Sequence, residues 1–258
     1  MKFKLDAGVV KIVEALEAKG YEAWIVGGAV RDLLLGIPAY DWDVTTSATP
    51  EQIQPLFNEC FYDNEYGTVK VAGKHIGKQF GLKECEIKDE ELYDITTFRS
   101  ESGYSDKRRP DSVVWGKTVE EDLRRRDFTV NAIALSIPVF QFSSFPVNNE
   151  FECKLVDPYG GQEDIKNKII KAVGIASERF EEDALRIMRA IRIAAQLGFT
   201  IEEQTLTALK EKVPNLKEIS WERTGAEVMK LLATEHATDG IQLMVNTGIM
   251  EILIPELL

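Results

Sequence analysis

Cysteine and histidine are scarce in this sequence. The cysteines, Cys60, Cys85 and Cys153, are odd in number and far apart, so neither a disulfide framework nor a paired-cysteine metal site is indicated. We expect reduced, structural thiols, which favours a cytoplasmic location. The only histidines are His75 and His236, and they cannot form a histidine-rich metal centre within one chain.

Long apolar runs and a basic charge balance are also missing. Nothing approaches the roughly 18 apolar residues of a membrane-spanning helix, and the first residues lack the order of a signal peptide, so we expect no membrane partner. With 31 basic against 43 acidic residues, the net charge of −12 argues against a broad nucleic-acid-binding surface. Basic residues nevertheless cluster locally, which suits a small polyphosphate site: Lys107, Arg108, Arg109, Arg124, Arg125 and Arg126.

The 258 residues, 44% of them apolar, suffice for one large domain or two smaller ones. Strand-like and helical patterns alternate up to about residue 172, and only helical patterns follow. We therefore predict an N-terminal domain of mixed strands and helices over 1–172 and an all-helical domain over 173–258. The later helices are predicted at 178–196, 202–212, 220–233 and 236–248.

Within the first domain, short apolar runs and turn residues predict the local elements. Expected strands are 22–29, 41–46, 67–72 and 93–98; expected helices are Val30–Leu35 and 118–134; a loop is expected at 99–116 and a hairpin at 137–156.

Asp41 and Asp43 are the first residues along the sequence that suggest a catalytic or metal-binding role. If DWDVTT is a strand, these side chains point to the same face, where two carboxylates repel each other unless a cation lies between them. Oxygen ligands of this kind suit Mg²⁺. The alternative is an exposed strand with two solvated acids.

Gly27 and Gly28 end the preceding strand just before a helix. Backbone N–H groups at such a helix start can approach a phosphate closely, and Arg31 adds a cation. The alternative is a tight turn that needs the conformational freedom of glycine. A phosphate-type turn shortly before paired carboxylates is more specific than either feature alone.

This combination, GGAVRDLLLGIPAYDWDVTTSATPEQ, resembles the nucleotidyltransferase motif of the DNA polymerase β superfamily. More narrowly, it resembles the class II tRNA nucleotidyltransferases (the CCA-adding enzymes) and their poly(A) polymerase relatives. Further segments match in order: TTFRSESGYSDKRRPDSVVWG, EEDLRRRDFTVNAIA, DPYGGQEDIKNKII, FEEDALRIMRAIRIAAQLGF and ISWERTGAEVMKLL. The resemblance runs from about residue 8 to 258 and implies an α+β nucleotidyltransferase head with a mixed sheet, followed by a helical neck.

The resemblance also implies roles for particular residues. Asp41 and Asp43 would hold two Mg²⁺ ions, and a third catalytic carboxylate would be Asp94 or Asp127. Further residues would contact the nucleotide: Gly27, Gly28, Arg31, Asp32, Arg126, Asp127 and Asn131.

Asp183, Arg186, Arg189 and Arg192 recur every three residues, and we expect them on one stripe of a helix. From the residues alone, this is an exposed helix with acid–arginine pairs. The resemblance implies instead that the stripe contacts the nucleotide, with Asp183 and Arg186 pairing with the edge of the incoming base. An aspartate accepts from the amino group of C or A, whereas U presents a carbonyl there.

The expected function is therefore addition of C and A, or A alone, to the tRNA 3′ end from CTP and ATP, with release of pyrophosphate and without a nucleic-acid template. The 99–116 loop resembles that of enzymes that add A, through Arg99, Glu101, Tyr104, Arg109, Pro110 and Asp111. The alternatives are a bacterial poly(A) polymerase and an inactive nucleotide- or RNA-binding module. Family members continue with body and tail domains beyond the point where this sequence ends, so a shortened chain or a compact variant is expected.

Overall fold

The computed structural model describes residues 1–63, 67–83, 86–102, 112–138 and 149–257. They form two compact units. The first comprises 1–100, 113–125 and 131–158, and the second comprises 101–112, 126–130 and 159–258. The fold class is a mixed α+β arrangement, as predicted. None of the helices in these ranges is long and apolar enough to cross a membrane.

The strands of the first unit and of the segments joined to it are β1 (Lys2–Lys4), β2 (Ala23–Val26), β3 (Asp43–Thr46), β4 (Phe61–Asp63), β5 (Thr68–Ala72), β6 (Leu92–Thr97), β7 (Arg99–Ser102), β8 (Ser112–Trp115), β9 (Ala134–Ser136), β10 (Glu150–Glu152) and β11 (Lys154–Val156). Its helices are α1 (Ala7–Glu17), α2 (Gly28–Leu35), α3 (Pro50–Ile53), α4 (Gly73–Phe80) and α5 (Val119–Arg124).

A seven-stranded sheet in the described residues has the order β11-β9-β2-β3-β6-β5-β4. Its β3–β6 pair is parallel and its other pairs are antiparallel. The pairs β1–β10 and β7–β8 lie outside this sheet. The strands predicted at 22–29 and 67–72 are present in shorter form, and the strand predicted at 93–98 is present one residue earlier.

The two faces of the central strands differ because successive strand residues point to opposite sides. One face carries Val44 and Ile95, both fully buried, and it also carries Tyr93, whose hydroxyl donates to Asp6 at the start of α1 (2.6 Å). The other face carries polar side chains in register: Asp43, Thr45, Asp94, Thr96, Thr68 and Lys70. The sheet thus has an apolar side and a polar side.

The second unit is built around α8. Its helices are α6 (Gly161–Asn167), α7 (Ala176–Glu182), α8 (Leu185–Leu197), α9 (Glu203–Lys212), α10 (Trp221–Leu232), α11 (Ala237–Asn246) and α12 (Ile249–Leu253). Strands β12 (Ile169–Ile170) and β13 (Thr200–Ile201) form a short parallel pair. The buried side of α8 packs against α7, α10 and α11.

Three local predictions were wrong. The helix predicted at 118–134 ends at Arg124, and a 3₁₀ turn at Thr129–Asn131 and strand β9 follow it. The helix predicted at 178–196 is two helices, α7 and α8, because Asp183 is extended (φ −144°) and interrupts it. The loop predicted at 99–116 begins and ends as paired strands, β7 and β8.

The hairpin predicted at 137–156 is present only in part. Strand β11 pairs with β9, whereas β10 pairs with β1 instead. Residues 139–148 lie outside the described ranges, and so does the predicted turn residue Asn148.

Gly8 tests how tightly α1 packs on the sheet. A Cβ at Gly8 would lie 2.4 Å from the Tyr93 hydroxyl oxygen and 2.7 Å from Cδ1 of Ile87. We expect Gly8→Ala to lower the free energy of unfolding by about 2 kcal/mol through overpacking. Gly225→Ala is the control, because its Cβ would meet the Trp221 indole at an ordinary 3.6 Å and helix propensity then favours alanine. Thermal melts in which both variants lose stability equally would contradict this packing.

Glu17, the last residue of α1, has a buried carboxylate oxygen without a hydrogen-bond partner in the described residues, and burial raises its pKa from 4.5 to about 7. The protonated form is favoured by folding, so its stabilising contribution is complete below pH 4.5 and is lost as the pH rises through 7. We expect Glu17→Gln to raise stability by ~1–2 kcal/mol at pH 8 and to change little at pH 4.5. Denaturant titrations at both pH values measure this, with Glu14→Gln as the control. An equal effect at both pH values would refute it.

Candidate active site

The polar face of the sheet brings two carboxylates and a lysine into one row. Asp43 on β3 is the register partner of Asp94 on β6, and Asp94 is the register partner of Lys70 on β5. The Lys70 ammonium donates to both Asp94 oxygens, at 3.0 and 2.7 Å. Lys70 therefore already neutralises one carboxylate of this row.

Asp41 does not lie on the strand, contrary to the sequence prediction. It sits in an exposed bend before β3 with φ +53°, a conformation that aspartate tolerates better than most residues. It lies near Glu91, whose carboxyl pKa is raised chiefly by burial and also by the nearby charges of Asp6 and Asp41. The strand begins only at Asp43, so strand alternation does not fix the direction of the Asp41 side chain.

The turn before α2 has the geometry expected of a phosphate-type helix start. Gly27 adopts φ +79° and ψ −148°, and α2 begins at Gly28. A Cβ at Gly28 would lie 3.4 Å from a terminal nitrogen of Arg31, so the absence of a side chain leaves room for that guanidinium. The N-terminal amides of α2 carry the partial positive charge that favours an anion.

Arg31 is buried at the start of this helix, with 6% of its surface exposed. Its Nε donates to Asp32 Oδ1 (2.8 Å) and its Nη1 donates to Asn131 Oδ1 (3.0 Å). Burial raises the pKa of Asp32, while the Arg31 charge opposes this rise and the Asp41 charge adds to it. The first unit thus brings Gly27, Gly28, Arg31, Asp32 and Asn131 together.

A metal ion is chemically compatible with the Asp41–Asp43 segment. Carboxylate oxygens are the ligands that a hard divalent cation prefers. In the ranges that the structure describes, no cluster of three or more histidine, cysteine, aspartate or glutamate side chains is close enough to hold a metal. A site there would therefore depend on Asp41 and Asp43.

The choice of Asp94 or Asp127 as a third catalytic carboxylate stays open. Asp94 neighbours Asp43 in the sheet, but Lys70 holds its oxygens. Asp127 is buried, and its Oδ2 accepts from Nε and Nη2 of Arg189 at 2.8 and 2.6 Å. This pairing raises the pKa of Arg189.

The arginines next to Asp127 differ in their surroundings. Arg124 is exposed at the end of α5, while Arg125 donates twice to the fully buried Asp122, at 3.0 and 2.8 Å. Arg126 is half-buried. Beyond Arg125 the Phe128 N–H donates to the Asp127 side chain (2.8 Å) instead of continuing a helix.

Asp183 stands at the junction of α7 and α8, so it does not share a helical stripe with Arg186, Arg189 and Arg192 as predicted. Its Oδ1 accepts from the backbone N–H of Leu185 (3.0 Å), which satisfies a donor at the start of α8. Its Oδ2 accepts from Nη2 of Arg223 on α10 (2.9 Å).

The arginines of α8 are all engaged by acceptors. Arg186 donates to Glu182 Oε2 (2.6 Å) and to the Arg179 carbonyl (3.3 Å). Arg192 donates to Glu227 Oε2 (2.5 Å) and to Gln196 (2.8 Å). The acid–arginine pairing expected from the residues alone is therefore present.

Sequence reasoning missed Lys70, Glu182 and Arg223 as partners of candidate site residues. Lys70 and Arg223 reach their acids through sheet register and helix packing, which no local spacing reveals. Other predicted residues lie outside the described ranges: Tyr104, Lys107, Arg108, Arg109, Pro110 and Asp111. Of Glu101, only the strand position in β7 is described.

Comparison with known proteins places this chain in a family. The profile described as "Poly A polymerase head domain" matches residues 23–171, and the profile described as "Probable RNA and SrmB-binding site of polymerase A" matches 198–258. The carboxylate row of the sheet thus lies in a segment that matches a polymerase head domain of the nucleotidyltransferase class. The chain belongs to the poly A polymerase head-domain family. Nucleotidyltransferases of this family generally use divalent metal ions.

Individual relatives are longer than this chain. It is 42% identical to the CCA-adding enzyme of Lactiplantibacillus plantarum, over 92% of this chain and 52% of that relative. A crystal structure of the Bacillus stearothermophilus CCA-adding enzyme in complex with CTP matches with a TM-score of 0.75 and 37% identity, over 94% of this chain and 52% of that one.

A tRNA nucleotidyltransferase complexed with a primer tRNA and an incoming ATP analog matches with a TM-score of 0.70 and 26% identity, over 94% of this chain and 62% of that one. The chain spans about half the length of the curated relatives that it matches.

Lys70 and a divalent cation should compete for the carboxylates of the sheet row. We expect Lys70→Gln to tighten Mn²⁺ binding by up to about fivefold, because a half-exposed ion pair is worth up to about 1 kcal/mol. Titration followed by Mn²⁺ electron paramagnetic resonance measures this. Lys78→Gln, which removes an exposed lysine from α4, is the control. Unchanged or weaker Mn²⁺ binding by the Lys70 variant would show that no competition exists.

Proposed function

We propose that this chain is a tRNA nucleotidyltransferase of the CCA-adding type. It adds C and A to the 3′ end of tRNA from CTP and ATP, releases pyrophosphate and uses no nucleic-acid template. The observation that carries the proposal is the pairing of Asp41 and Asp43 with a glycine-initiated helix in a chain of this family. Its relatives include CCA-adding enzymes, one of them in complex with CTP, and a tRNA nucleotidyltransferase complexed with a primer tRNA and an ATP analog, which supports the tRNA, CTP and ATP specificity.

The two parts of the chain take different roles in this proposal. Residues 1–172 form the catalytic head, and residues 173–258 form a helical neck that selects the nucleotide. The cytoplasm is the compartment that goes with a tRNA substrate.

Asp41 and Asp43 are the proposed Mg²⁺ ligands. When bound, the metal would activate the attacking 3′-hydroxyl and stabilise the leaving pyrophosphate. The protein's own part is to present these two carboxylates at the start of β3, with Asp94 held beside Asp43 by sheet register. Lys70 offsets the charge of Asp94 in that row.

The start of α2 is the proposed triphosphate-binding element. Its N-terminal amides and the Arg31 guanidinium place positive potential there, and Asp32 and Asn131 fix the orientation of that guanidinium. Arg126 is proposed as a further nucleotide contact. Arg189 orders Asp127, so both belong to the same proposed set.

Asp183 and Arg186 are the proposed base-selecting pair. Each carboxylate oxygen of Asp183 makes one described hydrogen bond and has a second lone pair with which to accept from the amino group of C or A. Arg186, oriented by Glu182, donates to ring nitrogen or carbonyl acceptors. UTP would place a carbonyl opposite the Asp183 acceptor, at a cost of about 1–3 kcal/mol.

A poly(A) polymerase is the second candidate, favoured by the description of the matching head-domain family. It would extend RNA with ATP and would not incorporate CTP. Nucleotide choice therefore separates the two activities.

The test uses tRNA lacking its terminal CCA, supplied with CTP and ATP separately and together, with products sized on a gel. We expect C addition followed by A, and loss of ~10³-fold or more in Asp41→Asn and Asp43→Asn, because the metal ligands are removed without loss of core packing. Asp89→Asn, an exposed carboxylate of the same unit, should retain activity. ATP-only extension would favour the polymerase, and near-normal rates in either metal-ligand variant would refute the mechanism.

A further inference from the structure

The Asp183 carboxylate is held at both of its oxygens by different elements. The backbone N–H of Leu185 fixes Oδ1, and Nη2 of Arg223, 40 residues further along the chain on α10, fixes Oδ2. The Asp183 and Arg223 side chains are 18% and 22% exposed, so water competes little for this pair. Two contacts on the two oxygens determine the plane of the carboxylate as well as its position.

Arg223 contacts Asp183 through only one of its guanidinium nitrogens, and helix packing alone does not explain this. It uses one arm of its guanidinium, and its Nη1 is buried without a hydrogen-bond partner in the described residues. A two-armed contact with the carboxylate would be stronger, and an unpaired buried donor costs about 1–3 kcal/mol. A buried polar group left unpaired in this way calls for a functional explanation.

A second ion pair already joins α8 to α10. Arg192 on α8 pairs with Glu227, which lies one turn after Arg223 on α10 and is 5% exposed. Val228 and Leu231 of α10 are buried as well. The helices are therefore joined by contacts that do not involve Asp183.

We propose that Arg223 is a positioning residue for base selection: it holds the Asp183 carboxylate in the plane from which that group reads the incoming base. This inference rests on the proposed base-reading role of Asp183. Arg189 also acts on Asp183 through its charge, but the hydrogen bond that orients Oδ2 comes from Arg223. Without Arg223 only the Leu185 N–H holds the carboxylate, so its plane is no longer fixed, and a rotated acceptor discriminates poorly between an amino group and a carbonyl.

The experiment measures equilibrium binding of CTP and UTP to the full 258-residue chain by calorimetry, with Mg²⁺ present. The ratio of the two dissociation constants is the readout, because a merely structural role would not change it selectively. We expect Arg223→Gln to reduce this ratio by about tenfold, since a hydrogen bond to a charged group is lost. Arg223→Lys, which restores a cation and a donor, should recover most of it.

Three further variants separate the possible explanations. Glu227→Gln weakens the neighbouring α8–α10 pair and should lower the melting temperature while keeping the CTP/UTP ratio. Lys230→Gln removes the same charge from an exposed site on α10 and should change neither. Asp183→Asn removes the acceptor itself and should reduce the ratio at least as much as Arg223→Gln.

Each contrary outcome has a distinct meaning. If Asp183→Asn leaves the ratio unchanged, the base-reading proposal fails and the role of Arg223 fails with it. If Asp183→Asn reduces the ratio but Arg223→Gln does not, only the positioning role is overturned. An equal reduction in Arg223→Gln and Glu227→Gln would assign Arg223 to helix packing. If the glutamine variant does not fold, an Arg223→Lys chain with normal melting and an abolished ratio would also overturn the proposal.

Discussion

The repulsion between neighbouring carboxylates is the constraint on which the first unit depends. Sheet register places Asp43 beside Asp94, and two such charges on one face are costly unless a cation accompanies them. Lys70 supplies a cation to Asp94 from the next strand, and Asp43 and the nearby Asp41 are the carboxylates proposed to hold a metal. The rest of the face is threonine and charge, while the opposite face is apolar and packs on α1. The polarity of the sheet thus determines on which face of the first unit the proposed catalytic carboxylates lie.

In the second unit, too, charged side chains are paired with partners of opposite charge. Arg189 holds Asp127, Glu182 holds Arg186, Glu227 holds Arg192 and Arg223 holds Asp183. Half-buried pairs of this kind contribute modestly to stability because desolvation offsets much of their attraction. These ion pairs do, however, fix the directions in which the paired side chains point. For the proposed base-selecting pair, Asp183 and Arg186, direction is the property that matters, since base discrimination depends on a donor and an acceptor standing at fixed angles.

Much of this was accessible from the sequence, and the failures have physical causes. Alternation and turn residues predicted β2, α2 and β6, and the Gly27–Gly28 turn was found because glycine marks positive φ. The break at Asp183 was not predicted because FEEDALRIMRAIR has continuous helical periodicity; the helix is interrupted by a capping bond to Leu185 and a tertiary partner, Arg223. After the end of α5, the Phe128 N–H likewise bonds to the Asp127 side chain, which helical periodicity does not reveal. Pairings made across sheet register or helix packing, such as Lys70 with Asp94, leave no trace in local spacing.

The acidic net charge of the chain is consistent with this pairing of arginines with carboxylates. Each arginine that orders a candidate site residue requires a carboxylate partner, so a site rich in guanidinium groups need not create a basic surface. Arg31, Arg125 and Arg189 illustrate this, since each is bound to an aspartate in the described residues. Their charge acts at short range, within a protein of net charge −12. A compact triphosphate, which concentrates its charge in a few oxygens, can exploit such local positive potential, whereas an extended RNA backbone requires cations spread along its length. In the proposed function, recognition of the nucleotide and retention of the RNA are therefore separable physical tasks, and paired arginines of this kind suit the first.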